Sequence, residues 1–186
     1  MPAIISTSAL LIQEIAFTDY WQDILELRDA CRQDKDPQLA NQLFPAGMYD
    51  EFDDTAMHWG IFDDENLVAS ARLSVHRNIN ELPDRFLFSD IWDKELPAPI
   101  ASLNRLSVAT AYRGLGLSGQ LDRIRIQKAR RIGCRCICGT AHGKRQQKLQ
   151  EDGFICHHSE KLSSIYGTDE LTGVKLPLDF YYNLLV

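Results

Sequence analysis

Val108-Ala109-Thr110-Ala111-Tyr112-Arg113-Gly114-Leu115-Gly116-Leu117-Ser118 stands at the centre of the stretch that decides the fold, Ser102 to Phe154. Ser102 to Val108 is a short apolar-polar run ending in a β-branched residue, the pattern of a strand. From Leu117 the apolar residues Leu117, Leu121, Ile124, Ala129 and Ile132 recur on one broad helical face. Gly114 and Gly116 lie between the two patterns. Glycines at alternate positions, running into a helix N-terminus, turn several unsatisfied backbone N–H groups toward one point, where the helix dipole adds partial positive charge. That arrangement suits a pyrophosphate, and Arg113 adds a fixed charge. The same residues also allow a tight turn capping an ordinary helix, because short glycine patterns recur by chance.

Working outward, Cys134 to Cys138 reads as a strand, a helix follows from about Ala141, and Gly153-Phe154 opens another strand. Together these elements resemble the acyl-CoA-binding region of the GNAT superfamily of N-acyltransferases, whose motif is R-G-x-G-x-[GAS] after a strand ending in Val. Here it is Arg113-Gly114-Leu115-Gly116-Leu117-Ser118 after Leu106-Ser107-Val108. The resemblance implies an α+β fold with a mixed, twisted central sheet flanked by helices. It also implies that Leu106, Ser107, Val108, Arg113, Gly114, Leu115, Gly116, Leu117 and Ser118 bind the cofactor, acetyl-CoA or another acyl-CoA. The strand ending near Val108 should splay from the one beginning near Cys134 to admit the pantetheine. His142 falls where the family often has an asparagine near the pantetheine arm. The pattern is not that of a dinucleotide fold: the third glycine is missing, and no acid ends the Cys134–Cys138 strand.

On the N-terminal side, Ala9 to Phe17 reads as a strand. Asp19 to Arg32 reads as a helix with Tyr20, Ile24, Leu27 and Cys31 on one face, capped by Thr18 or Asp19. Gln38 to Phe44 reads as a short helix broken by Pro45-Ala46-Gly47. Asp50 to Asp54 is an acidic loop. Met57 to Phe62 and Leu67 to His76 flank Asp63-Asp64-Glu65-Asn66 as a β-hairpin. In its second strand Leu67, Ala69, Ala71, Leu73 and Val75 share the apolar face, which should point to the core. Ser70, Arg72, Ser74 and His76 lie opposite, either bordering a substrate cleft or forming an exposed edge. Asn78 to Pro99 reads as a long loop over the acceptor side. Ile155 to His158 and a segment within Val174 to Tyr182 are the last strands expected.

A second resemblance covers Leu27 to Val108. Arg28, Asp50 with Asp53, Arg72-Leu73 and Ser102-Leu103-Asn104-Arg105 are similar to conserved elements of the acyl-homoserine-lactone synthases and N-acyl amino acid synthases, a GNAT branch. The resemblance implies that Arg28, Asp50, Asp53, Arg72, Ser102, Asn104 and Arg105 shape the acceptor site, with an ion-pair network among the charged ones. Such networks also serve only to fix a fold. Ser102 replaces the branch's glutamate, which bears against lactone formation. The branch brings in an acyl carrier protein as an alternative donor.

The 186 residues suit one domain, 1–186, with a substantial core. Hydrophobic residues at 45% and charged residues at 25% fit a soluble globular class. No apolar run reaches the roughly 20 residues of a membrane helix. Met1 to Ile12 lacks a basic n-region, so no secretory signal is read and a cytoplasmic protein is expected. The five cysteines do not form a disulfide framework. Cys134, Cys136 and Cys138 alternate onto one strand face, where small core residues fit better than ligands of a tetrahedral metal. From Arg113 to Lys148 ten Lys or Arg accompany one acid, Asp122, giving +9 and leaving −15 on the remainder of a chain of −6. That field would draw in coenzyme A phosphates; individual cations such as Arg123, Lys128 and Arg131 read better as a solvated helix face. The acidic remainder and the lack of a nucleic-acid motif argue against nucleic acid as a partner.

Acyl transfer to an amine needs a base for the amine, a donor polarising the thioester carbonyl and an acid for the thiolate. A backbone N–H of Leu106–Val108 serves the carbonyl. The family's usual acid is a tyrosine four residues before the Gly-Phe pair, where this chain has Leu149. His76 is the candidate base, since an unperturbed histidine titrates near neutrality. His142 and Tyr166 are candidate acids. The function expected is N-acyl transfer from acyl-CoA to a primary amine of a small molecule or peptide, with a homodimer as the candidate assembly. The missing tyrosine and glutamate leave a non-catalytic acyl-CoA sensor as the alternative.

Overall fold

A computed structural model describes residues 10–33, 48–83, 95–141, 144–157 and 179–185. The expected 38–44 helix, His142, Tyr166 and most of the 78–99 loop's apolar residues lie outside them. In chain order the elements are β1 (Leu11–Ile15), α1 (Phe17–Gln33), β2 (Met57–Asp63), β3 (Asn66–His76), β4 (Ile100–Val108), α2 (Leu117–Arg131), β5 (Cys136–Ala141), α3 (Lys144–Glu151), β6 (Ile155–His157) and β7 (Asp179–Leu184). The strands form one mixed seven-stranded sheet in the order β1-β2-β3-β4-β5-β7-β6. This is the expected α+β class.

Packing divides the chain into two compact units, Met1–Arg72 with Arg105–Leu121, and Leu73–Asn104 with Asp122–Val186. In the first, β1 and β2 run antiparallel from Leu11 opposite Phe62 to Ile15 opposite His58. Ile15, Ile24 and Phe62 form a core with Phe17, Tyr20 and Leu67 against it. The 3.6-residue spacing of Ile24, Leu27 and Cys31 explains their burial along α1, and Arg28 shares that stripe. Thr18 and Asp19, expected as caps, lie inside α1's first turn, and the helix kinks at Tyr20 (φ −126°, ψ 16°).

In the second unit β5 pairs antiparallel with β7 and β7 with β6. Leu82, Leu96, Ile100, Cys136, Cys138 and Phe180 form its core. β5 begins at Cys136 rather than at the expected Cys134, which precedes the strand; Cys134, Cys136 and Cys138 are all buried and free. Burial pushes the Cys136 thiol up to about 12 and the Cys138 thiol well above its usual value, so both stay protonated and apolar in character. β4 and β5 are parallel, and their ladder has four rungs, from Ile100 opposite Cys136 to Leu103 opposite Gly139. At the last rung a Cβ on Gly139 would meet the Leu103 carbonyl oxygen at 2.8 Å, so only glycine allows this approach. β4 runs on to Val108 without further rungs, as expected for a strand that splays.

Two facial assignments differ from expectation. β3 lies between β2 and β4, and its polar face is covered as completely as its apolar one. Ser70, Arg72, Ser74 and His76 are buried, whereas Val75 near the strand's end is 43% exposed. The exposed-edge reading of that face is therefore excluded. On α2, Leu117, Leu121 and Ala129 face the core, but Ile132 is 42% exposed, just past the helix end. Asp122 and Arg125 occupy buried positions on α2 instead.

Candidate active site

β4 delivers the chain to the glycine turn. The Ala109 N–H donates to the Val68 carbonyl at 2.9 Å, and a short 3-10 turn follows at Thr110–Tyr112. Gly114 and Gly116 take left-handed backbone conformations, with φ of 84° and 77°. An ideal Cβ on either would meet nothing within 4 Å. The space beside both backbones is open, which is the cradle a pyrophosphate needs. Leu117 anchors the helix start in the core, while Arg113, Leu115 and Gly116 are exposed and Ser118 is half-buried. The Arg113 Nε donates back to the Val108 carbonyl at 3.2 Å, so its guanidinium is tied to the end of β4. That same carbonyl accepts from the Cys31 thiol at 3.2 Å. Leu106 and Val108 are half-buried and Ser107 is buried along β4.

A second group lies in the first unit. Arg28 from α1 grips Asp53 bidentately at 2.9 Å on both oxygens. Arg72 from β3 reaches Asp53 at 2.9 Å and holds Asp50 with both terminal nitrogens. Arg105 from β4 also holds Asp50, through Nε at 3.1 Å and one terminal nitrogen, both on the same carboxylate oxygen. The acidic loop is preorganised for this. The Phe52 N–H donates to the Asp50 carboxylate at 3.0 Å and the Asp50 N–H to Asp53 at 3.1 Å. All five charged residues singled out from the sequence therefore meet. Arg105 is one of two non-glycine residues with positive φ, at 51°, among the described residues, a conformation held by its surroundings at some cost.

Burial would raise both carboxyls, but the guanidinium hydrogen bonds and charges overrule it. Asp50 is held at about 2, and Asp53 is likewise lowered. His58 joins the group unannounced, its Nε2 lying 3.0 Å from the Asp53 carbonyl oxygen and its ring stacked on Phe17. Burial, then the charges of Arg28 and Arg72, push it down to about 4 against the pull of Asp53, so it is neutral at physiological pH. The available signal was a histidine inside an otherwise apolar strand, five residues after Asp53.

Ser102 and Asn104 bond elsewhere than in the arginine network. The Asn104 side-chain amide donates to Ser74 Oγ and Ser102 Oγ, both at 3.1 Å. Ser74 Oγ lies 2.8 Å from His76 Nε2. The result is a polar chain, Ser102–Asn104–Ser74–His76, buried except for the half-buried Asn104. His76 is not a free-standing base at the surface. Its Nε2 is already engaged, and a serine hydroxyl stands between it and Asn104.

One further cluster escaped the sequence reading. Asp122 on α2 pairs with Arg125 one turn on and takes two bonds from Arg145 of α3, at 3.0 and 3.1 Å. Its signal was being the sole acid among ten cations. Two of those ten are thereby removed from the field expected to face coenzyme A.

Residues 21–151 match the acetyltransferase (GNAT) family. The chain belongs to the GNAT family of acetyltransferases. It is thus an enzyme of the acyl-transferring type, with the fold that the glycine turn and the interrupted β4–β5 ladder imply. Solved structures share that fold at low identity. An acyl-CoA N-acyltransferase from Pseudomonas aeruginosa is 18% identical, with 94% of this chain and 99% of that one covered and a TM-score of 0.61. FeeM, an N-acyl amino acid synthase from uncultured soil microbes, is 13% identical over 96% and 92%, with a TM-score of 0.62. A Bacillus subtilis acetyltransferase in complex with CoA is 16% identical over 96% and 100%, with a TM-score of 0.59. No curated protein sequence matches the chain. Among the described residues no helix is long and apolar enough to cross a membrane, and no group of His, Cys, Asp or Glu is placed to hold a metal.

Proposed function

We propose that this GNAT protein moves an acetyl or longer acyl group from acyl-coenzyme A to a primary amine of a small molecule or peptide. Residues 1–186 act as one catalytic domain in the cytoplasm. The observation that carries the reading is the open glycine turn at the start of α2, with two left-handed glycines and free space at both Cβ positions. Gly114, Leu115, Gly116, Leu117 and Ser118 bind the pyrophosphate through backbone N–H groups, with Arg113 beside them. Leu106, Ser107 and Val108 offer backbone groups to the pantetheine and the thioester carbonyl.

In the chemical step the neutral amine attacks the thioester carbonyl carbon, the C–S bond breaks and the amine proton must leave. His76 is the base. Its Nε2 contact with Ser74 Oγ supports a relay in which the amine proton passes to Ser74 as the serine proton passes to His76. The thiolate needs an acid, for which His142 and Tyr166 remain the candidates. Release of free thiol from acetyl-CoA with a panel of amines tests the reading. Mass spectrometry of ligand retained from expression identifies the natural acyl group. No thiol release with any amine, from protein that also fails to bind coenzyme A, overturns it.

A second reading is favoured by the assembly of Arg28, Asp50, Asp53, Arg72 and Arg105 into one network. These are the counterparts of the acyl-homoserine-lactone and N-acyl amino acid synthase branch, and FeeM is described as such a synthase. On this reading the acceptor is an amino acid and the donor an acyl carrier protein. Comparing acyl-CoA with acyl carrier protein as donors, with free amino acids as acceptors, separates the two.

A further inference from the structure

The β4–β5 ladder ends at the rung between Leu103 and Gly139. The next residue on each strand is Asn104 and Thr140. Each has its carbonyl taken by an arginine: Arg125 donates to the Asn104 oxygen at 3.2 Å, and Arg145 to the Thr140 oxygen at 3.2 Å. Both arginines are held by one carboxylate, Asp122. Asp122 and Arg125 are buried, while the Arg145 side chain is 22% exposed. A parallel strand pair that stops pairing leaves backbone groups without ladder partners. Here two guanidiniums on a shared carboxylate cap the first carbonyl past the last rung on each strand.

We propose that Asp122, Arg125 and Arg145 form a clasp that ends the ladder and fixes the β4 peptide at Asn104, setting the position of the strand edge that reads the donor's pantetheine. They are positioning residues and do not touch the reacting atoms. Asp122 orients both guanidiniums and offsets their mutual repulsion; each guanidinium occupies the carbonyl that follows the last rung on its strand. The inference rests on the acyl-CoA reading above.

The test compares two probes on folded protein: coenzyme A, and adenosine 3′-phosphate 5′-diphosphate, which carries the phosphates but lacks the pantetheine. The variants are Asp122→Asn and, because a buried change risks misfolding, the less buried Arg145→Gln. Calorimetry is expected to show coenzyme A affinity falling about tenfold, the size of one lost charge-assisted hydrogen bond, with the affinity of the diphosphate probe unchanged. Arg125→Ala should regain coenzyme A affinity when millimolar guanidinium is added, a rescue that a general loss of packing would not show. Unchanged coenzyme A affinity in Arg145→Gln overturns the clasp while leaving the acyl-CoA reading standing. Equal loss for both probes also overturns it, since the effect is then not confined to the pantetheine. Wild-type protein that binds neither probe overturns the acyl-CoA reading and the clasp with it.

Discussion

Replacing Gly116 by valine separates backbone strain from ligand contact. Gly116 has φ of 77°, and nothing lies within 4 Å of an ideal Cβ there. The substitution meets no steric clash within the protein, and its cost to stability is the left-handed conformation alone, about 1–2 kcal/mol. For a chain of this length that is a fall in Tm of about 2–8 °C. The effect on coenzyme A is of another kind. A branched side chain fills the space through which the pyrophosphate must approach, displacing at least one charge-assisted hydrogen bond worth about 1.5–3 kcal/mol. The predicted loss of affinity is therefore about 10- to 150-fold. Gly133 supplies the control. Its φ is 80°, a Cβ there also meets nothing within 4 Å, and it closes α2 at the opposite end. Gly133→Val should lose comparable stability and keep wild-type affinity. Thermal melts and calorimetry with coenzyme A on both variants provide the assay. A folded Gly116→Val protein that binds coenzyme A like wild type would refute the reasoning, as would an equal loss of affinity in Gly133→Val.

Three further predictions follow from the other clusters. His76→Ala should lower turnover about 10²–10⁴-fold while leaving coenzyme A affinity intact; unchanged turnover would remove His76 from the mechanism. Asp53→Asn leaves buried Arg28 without its bidentate partner and should destabilise the fold by about 3–5 kcal/mol, read by urea denaturation; a change below about 1 kcal/mol would mean the network contributes little. His58 has its pKa lowered to about 4 from 6.5, so the unfolded chain takes up a proton between those values and the folded one does not. Stability from this source is full above pH 6.5 and falls by about 3 kcal/mol as pH drops toward 4. Asp50, lowered to about 2, adds a further loss only below about pH 3.8. His58→Gln should flatten the stability profile between pH 6.5 and 4, and a wild-type-like slope in that variant would assign the titration to another group.

The sequence by itself determined the strand–turn–helix around Gly114 and Gly116, because that reading depends on local rules: φ above zero needs glycine, and a helix start leaves N–H groups open. It also placed Arg28, Asp50, Asp53, Arg72 and Arg105 in one group, through a resemblance rather than through spacing. Burial of Cys136 and Cys138 followed from alternation on an apolar strand. What only the tertiary structure decided is which polar residues are covered and whom they bond. Alternation in β3 separates Arg72, Ser74 and His76 from the apolar face, but their burial depends on β3 lying between β2 and β4, which no local pattern reports. For the same reason the resemblance sets Ser102 and Asn104 beside the arginines, although the Asn104 amide bonds Ser102 and Ser74, and Ser74 in turn bonds His76. Asp122 read as a minor charge in a basic zone. Its contacts with Arg125 one turn away and Arg145 on the next helix, at the end of a ladder 18 residues upstream of it at Asn104, exist only once α2, β4, β5 and α3 are packed.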